Sequence, residues 1–444
     1  MIELSPEILT ISMFGGLIIG LMLGHSLAFV LGGLGLIFGI LVLGLDSLSM
    51  FLPRIYNVMD NYVLIAIPLF IFMAQMLGRS GVSDGLFDAL RYLMGPVKGG
   101  IFIAVIIVSI LFAACTGIVG ASVVTMGVLA MPIFVRYGYD KALSAGVICA
   151  GGTLGIIIPP SIMLVVMASE TGLSVGKLFA GSLVPGLLLG FLYLIYVIIR
   201  CQINPNLGPV LSKEERLSVS YFEIFMKVLK SLIPPMLLIM GVLGSIFFGI
   251  ATPTEAAGLG AFLSVCIVII YKRFSWNGLL DVGIQTTQTT SMVLMVSIGA
   301  TCFTGVFISA GCGEVVSNLI QTVGMGNRYG SLIVMMVLIF ILGMFLDWIG
   351  IVMITFPIFM PIVESLGFDK LWFVVICAVI LQSSFLTPPF GYSLIYLEGC
   401  TPSYLNTARI WYGAIPFCFI ILIGLLFCIL FPGIVTYMAE LLVK

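Results

Sequence analysis

An all-α polytopic membrane fold with an inverted internal repeat is predicted by three features of this 444-residue sequence. The first is composition: 61% of residues are hydrophobic and only 8% charged, with a mean hydropathy of +1.28. Water cannot solvate such a chain as a soluble domain, and its apolar runs have the length of membrane-spanning helices. The second is a pair of prolines that interrupts a long apolar segment twice, at Pro159-Pro160 and at Pro388-Pro389. The third is that the frame around the breaks repeats. Met131-Pro132-Ile133 through Gly138, Asp140 and Lys141 matches Met360-Pro361-Ile362 through Gly367, Asp369 and Lys370. In lipid a broken helix leaves carbonyls unpaired, so it survives only inside protein or beside a polar cavity.

Composition also excludes alternatives. A transmembrane β-barrel alternates apolar and polar residues, and these runs are unbroken. A net charge of -1 gives nucleic acid no footing. The ten cysteines lie mostly in apolar runs (Cys115, Cys149, Cys266, Cys377), without a CxxC motif and with one histidine, His25. They read as small buried hydrophobes, and His25 as a surface residue at a turn, so no disulfide or transition-metal site is expected. Glu3 and Glu7 precede the first apolar run where a cleavable signal would carry positive charge, so that run is expected to be a retained helix.

Uncharged stretches predict full-span helices near 8–24, 26–45, 61–78, 179–199, 231–250, 255–271, 287–309 and 410–431. With the loop 79–98 placed in the cytoplasm, only Arg54, Lys177, Arg328, Lys370 and Lys444 of the 18 Lys and Arg fall outside. That orientation obeys the positive-inside rule and puts both termini on the external face. Two stretches fit no simple span. The run 99–135 is uncharged but too short for two full crossings, and one crossing would spoil the alternation. A re-entrant hairpin with its tip near 117–122 fits it. A second hairpin, 329–363, centres on Asp347-Trp348-Ile349-Gly350 and enters from the opposite face.

Each hairpin precedes a discontinuous helix, 142–169 or 371–397. The expected organisation is N-terminal scaffold helices in 1–60, a first repeat in 61–200, connector and scaffold in 201–286, a second repeat in 287–431 and a tail in 432–444. Such inverted repeats are the arrangement of secondary transporters, whose substrate and ion sites lie between the breaks. The stretch 213–230 reads either as an interfacial connector or as a solvated linker.

A proline removes the hydrogen bond normally accepted by the carbonyl four residues earlier. The pairs should therefore free the carbonyls of Gly155 and Ile156, and of Ser384 and Phe385. Such hard oxygen donors suit Na⁺. Thr116, Gly117, Gly120 and Ser122 can close the first shell, and Asp347, Gly350 and Thr355 the second. Hydroxyls of Thr153, Ser161, Ser383, Ser384 and Thr387 add donors, or else bond back to their own helices. Asp347 is an ionisable group within an apolar span. It brings charge to a cation site, takes a proton, or caps a wet hairpin tip. Thr254 reads as an N-cap with Glu255 at the positive helix end, a structural or subunit-facing motif. No arginine falls clearly inside the expected cavity.

Three segments carry a family resemblance: Gly151-Gly152-Thr153-Leu154-Gly155-Ile156-Ile157-Ile158-Pro159-Pro160-Ser161, Gly249-Ile250-Ala251-Thr252-Pro253-Thr254-Glu255-Ala256-Ala257, and Thr387-Pro388-Pro389. With them the chain resembles, over nearly its whole length, the large membrane subunit of tripartite ATP-independent periplasmic (TRAP) transporters. The resemblance implies Na⁺-driven uptake of a carboxylate across the bacterial inner membrane by an elevator mechanism. It implies two partners, a small four-helix membrane subunit, here expected as a separate chain, and a periplasmic substrate-binding protein. It maps a first Na⁺ site onto Gly117, Ser122, Gly155, Ile156, Ile158 and Pro160. Internal symmetry places a second at Asp347, Gly350, Ser384, Phe385, Thr387 and Pro389, and Thr153, Ser161, Ser383 and Thr355 are assigned to substrate. A stand-alone Na⁺/dicarboxylate carrier is the nearest alternative, and a passive channel a more distant one. No enzyme is expected, since no Ser-His or His-Glu constellation is available.

Overall fold

The computed structural model describes residues 5–212, 220–401 and 404–443. Regular structure among them is entirely helical, and eight helices are long and apolar enough to cross a bilayer. A ninth span results if Cys312–Val323 and Arg328–Gly343, bent by 118° at their junction, count as one. Six of the eight, Tyr62–Arg79, Val175–Ile203, Phe222–Phe247, Pro253–Ile270, Trp276–Ser309 and Thr407–Leu430, fall on expected spans. The first two apolar runs are shorter than expected. Pro6–Met22 has 17 residues, and Leu27–Phe38 ends in a π turn at Gly39–Leu43. At ~1.5 Å per residue neither reaches across ~30 Å of hydrocarbon without help from its flanks.

These N-terminal helices lie against Trp276–Ser309. A Cβ on Gly299 would come within 2.4 Å of the Ala28 carbonyl oxygen, and one on Gly35 within 3.0 Å of the Cys302 carbonyl carbon. Glycine is required there because the backbones themselves touch. Phe14 meets Phe303 and Phe307 edge-on just beyond, with centroids 6.2 and 5.5 Å away.

Both expected hairpins form. The arms of the first are Gly100–Thr116 and Val119–Arg136, and Gly117 turns between them at φ 59°, a left-handed conformation that favours glycine. The arms of the second are Arg328–Gly343 and Trp348–Ser365. The discontinuous helices follow as Lys141–Thr153 with Ile162–Thr171, and Lys370–Ser384 with Tyr392–Cys400. Each starts under the same cap. Asp140 Oδ1 accepts from Leu143 N at 2.7 Å, and Asp369 Oδ1 accepts from Trp372 N at 2.7 Å. Both proline pairs contain a cis peptide bond.

Two sequence expectations are corrected. The stretch 79–98, read as a loop, contains the helix Val82–Met94, which buries Val82, Leu86, Phe87 and Leu90. That spacing is the single stripe of an amphipathic helix. Its counterpart before the second hairpin, Cys312–Val323, buries Cys312, Val316 and Ile320. The N-cap of Pro253–Ile270 is Thr252, not Thr254. Pro253 starts the helix, so Thr252 accepts from Glu255 N while Glu255 accepts from Thr252 N, a capping box. Thr254 instead donates to the Tyr62 carbonyl at 3.2 Å. Residues 213–219, which hold the charged part of the connector from Lys213 to Arg216, lie outside the described residues; from Tyr221 onward the stretch begins the long helix Tyr221–Phe247.

Candidate functional site

The run Gly151-Gly152-Thr153-Leu154-Gly155 gives each residue a different neighbour. A Cβ on Gly151 would sit 2.6 Å from Ser109 Oγ on the first hairpin arm, and one on Gly152 2.3 Å from Val123 Cγ2 on the second. Two glycines therefore let both arms close on the broken helix. Thr153 faces the other repeat. Gly155 faces the tip, where a Cβ would lie 3.7 Å from both Ser122 Oγ and Thr116 Oγ1. Those two hydroxyls are 2.9 Å apart. Beneath them Gly117 sits on the break itself, its Cβ direction 3.1 Å from the Pro160 carbonyl oxygen. Gly117, Ser122, Gly155 and Pro160 thus converge, with Thr116 beside them.

The proline breaks free fewer carbonyls than expected. Among the described residues no donor reaches the Gly155 carbonyl, but the Ser161 hydroxyl donates to that of Ile156 at 2.5 Å. In the second repeat Ser161 is replaced by Phe390, which has no hydroxyl. There Gly391 adopts φ 34° and brings Ser393 N to the Phe385 carbonyl at 3.2 Å. The Ser384 carbonyl accepts from Thr387 N at 3.4 Å. Buried carbonyls find donors wherever the fold allows, and only Gly155 keeps the one counted as free.

The second tip is built differently. Gly343, on the first arm, packs against Ser384 so closely that a Cβ would lie 2.2 Å from that of Ser384. Gly350 does not face the break; a Cβ there would meet Leu27 Cδ2 at 2.5 Å. Thr387 donates to the Ser383 carbonyl at 2.5 Å and lies 3.9 Å from Cys418 Sγ. Its counterpart Ile158 packs its side chain where a Cβ on Gly186 would be, 2.7 Å away.

A cavity of about 720 Å³ lies between the two tips. Gly117, Ile118, Val119 and Gly120 line it from one repeat, and their counterparts Leu346, Asp347, Trp348 and Ile349 from the other. Ile156 and Phe385, also counterparts, complete its floor. The cavity therefore straddles the axis relating the repeats, and Ile118 against Asp347 is its main asymmetry. Asp347 is the N-cap residue of Trp348–Ser365 but makes no side-chain cap bond. Helices outside the hairpins supply Gln75, Arg79 and Thr289.

Arg79 corrects the expectation that no arginine reaches the cavity. Its Nη1 is 3.3 Å from Asp281 Oδ2, and both side chains are partly exposed. A position at the end of an apolar helix gave no sign that Arg79 would line the cavity. None of the four residues assigned to substrate lines this cavity. Thr153, Ser161, Ser383 and Thr355 are buried, and their hydroxyls donate to the carbonyls of Ala150, Ile156, Ile380 and Ile351. Tyr392 and Tyr396, on the cavity wall, went unremarked in the sequence.

Known proteins match this chain throughout. The family described as the DctM component of the tripartite ATP-independent periplasmic transporter matches residues 11–434. The C4-dicarboxylate TRAP transporter large permease protein DctM of Pseudomonas aeruginosa is 32% identical over 399 residues, covering 89% of this chain and 90% of that protein. The isethionate TRAP transporter permease protein DctMQ of Oleidesulfovibrio alaskensis is 32% identical across 78% of this chain but only 53% of its own length. The sialic acid TRAP transporter large permease protein SiaM of Vibrio cholerae is 25% identical, covering 96% of each chain. Among solved structures, the YdaH transporter of Alcanivorax borkumensis superposes with a TM-score of 0.64 at 13% identity, over 92% of this chain and 97% of that one. That similarity is one of fold. The chain belongs to the DctM family of tripartite ATP-independent periplasmic transporters, multi-pass membrane permeases.

Proposed function

We propose that this permease imports an organic acid across the bacterial inner membrane, driven by Na⁺. The observation that carries this reading is the junction at the first break, where Gly155, whose carbonyl has no donor among the described residues, packs beside the paired Thr116 and Ser122 hydroxyls, and Gly117 packs against the Pro160 carbonyl. Uncharged oxygens of this kind suit a monovalent hard cation. Hydroxyls that donate to their own helix keep lone pairs for an ion, so the back-bond of Thr387 leaves it available at the second site. The adjoining cavity takes the organic acid, with Arg79 as its carboxylate partner. Relatives are named for C4-dicarboxylate, isethionate and sialic acid, which are all small organic anions.

In this reading residues 61–200 and 287–431 are inverted repeats, whose hairpins and broken helices slide as one body. Residues 1–60 and 201–286 belong to the scaffold, 432–444 form a tail, and both termini are periplasmic. A separate small four-helix membrane subunit and a periplasmic binding protein complete the system. Coupling requires that Na⁺ bind the substrate-loaded site better than the empty one, since otherwise the gradient does no work on the substrate. Uptake into proteoliposomes holding both membrane subunits, supplied with loaded binding protein, tests the proposal. Accumulation should collapse when the Na⁺ gradient is removed. Uptake indifferent to Na⁺ sinks the ion assignment, and uptake without the binding protein points to a stand-alone carrier.

A further inference from the structure

Thr153 and Gln382 are counterparts in the two repeats, 229 positions apart, and they touch: Thr153 Oγ1 lies 3.3 Å from Gln382 Oε1. A residue meets its own counterpart only on the axis that relates the halves. Both side chains are fully buried, and among the described residues Gln382 Nε2 has no hydrogen-bond partner. A threonine hydroxyl carries one hydrogen, and that of Thr153 is already directed to the Ala150 carbonyl at 2.9 Å. It cannot also go to Gln382. Turning the amide over places Nε2 opposite Thr153 Oγ1, so Gln382 donates, Thr153 accepts, and the orphaned donor is satisfied. The buried Tyr193 hydroxyl approaches Thr153 at the same point from Val175–Ile203.

This contact lies two residues before Gly155 on one helix and two before Ser384 on the other. We infer that the Gln382–Thr153 bond is a positioning link that makes the two Na⁺ sites bind as one cooperative unit. An ion that draws in the Gly155 end fixes Thr153, thereby fixing Gln382 and the Ser384 end before a second ion arrives. The inference rests on the proposed Na⁺ coupling, and one experiment separates the two.

Purified permease in detergent is melted across a Na⁺ series, with choline holding ionic strength constant. The wild type should be stabilised with a Hill coefficient approaching about 2, the limit for two fully coupled sites. Thr153→Val and Gln382→Met should lower it to about 1 while still responding to Na⁺, and Thr153→Ser, which keeps the acceptor oxygen, should retain the wild-type value. Sites uncoupled in this way leave the second ion roughly 5–150-fold weaker relative to the coupled state. A wild type that ignores Na⁺ overturns the proposed function as well as the link. A wild type that responds with a coefficient of 1 overturns the link alone. So does a Thr153→Val variant with wild-type cooperativity, or a Thr153→Ser variant as uncoupled as Thr153→Val.

Discussion

The two proline breaks achieve the same close packing by opposite means. In the first repeat the small residues sit on the broken helix, at Gly151, Gly152 and Gly155, and the hairpin supplies Ser109, Val123, Thr116 and Ser122. In the second, positions 380–384 are Ile, Leu, Gln, Ser and Ser, and the glycine has moved to the hairpin as Gly343. Backbone symmetry has therefore outlasted side-chain symmetry. The first tip keeps hydroxyls over the break. The second presents Phe345 and Leu346 and turns its polar group, Asp347, into the cavity. Repeats with equivalent backbones need not hold equivalent ion sites.

The largest expected effect tests where the space lies. Gly343→Ala places a Cβ 2.2 Å from that of Ser384, a clash of backbone-anchored atoms. Overpacking of this kind costs about 1–3 kcal/mol or more. The melting temperature should fall, and Gly343→Ala with Ser384→Gly should recover most of the loss because the opposing Cβ is gone. Gly15→Ala, with no neighbour within 4 Å, should leave melting unchanged or slightly raised. If the double variant melts no higher than the single one, the contact is not what limits the second hairpin.

Next in size is the cavity cation. Losing a charge-assisted hydrogen bond costs about 1.5–3 kcal/mol, so Arg79→Gln should raise KM for the organic acid by roughly tenfold to a hundredfold. The Na⁺ concentration for half-maximal uptake should stay close to that of the wild type. Asp281→Asn, which removes only the partner of Arg79, should change KM far less. Equal effects from the two would reduce Arg79 to half of a surface ion pair.

Ion chemistry divides the tips more finely. Ser122→Ala removes one oxygen from the first junction and should raise the half-saturating Na⁺ concentration by about tenfold, the worth of ~1–1.5 kcal/mol. Asp347→Asn should move it less, because its carboxyl faces the cavity rather than the break. Titrating Na⁺ against uptake in each variant decides the matter. A larger shift from Asp347→Asn would return Asp347 to the ion shell.

Much of this architecture was legible in the sequence. Proline pairs, charge spacing and the repeated Met-Pro-Ile frame locate both hairpins and both breaks, since lipid punishes unpaired backbone wherever it lies. Gly117, Ser122 and Gly155 were legible because a hydroxyl-rich tip and a glycine-rich break stand out from apolar surroundings. Less local features were missed. The helices Val82–Met94 and Cys312–Val323 hid because their stripes alternate with polar residues and their flanking charges suggest a loop. Donors that reach the carbonyls of Ile156 and Phe385 come from beyond the prolines, so counting back four residues could not find them. The direction of Arg79 depends on packing between helices about 200 positions apart, as the 202-residue separation from Asp281 indicates.

The smallest expected effect falls on Thr355, which the sequence placed near the substrate. The structure buries it within Trp348–Ser365, eight residues beyond Asp347, with its hydroxyl donating to the Ile351 carbonyl at 2.7 Å. Such a back-bond adds little to a helix whose backbone bonds are already made. Thr355→Val keeps the branched shape and exchanges only the hydroxyl for a methyl. The carbonyl retains its helical N–H donor, so the change should cost under about 1 kcal/mol of stability and leave KM and Na⁺ dependence within about twofold. Thr387→Val removes a similar back-bond, but beside the second break. If Thr387→Val weakens Na⁺ dependence while Thr355→Val does not, location at the break, rather than the hydroxyl itself, makes the ligand. Matching effects would show that the second repeat draws its ion shell from the hairpin arm as well as from the break.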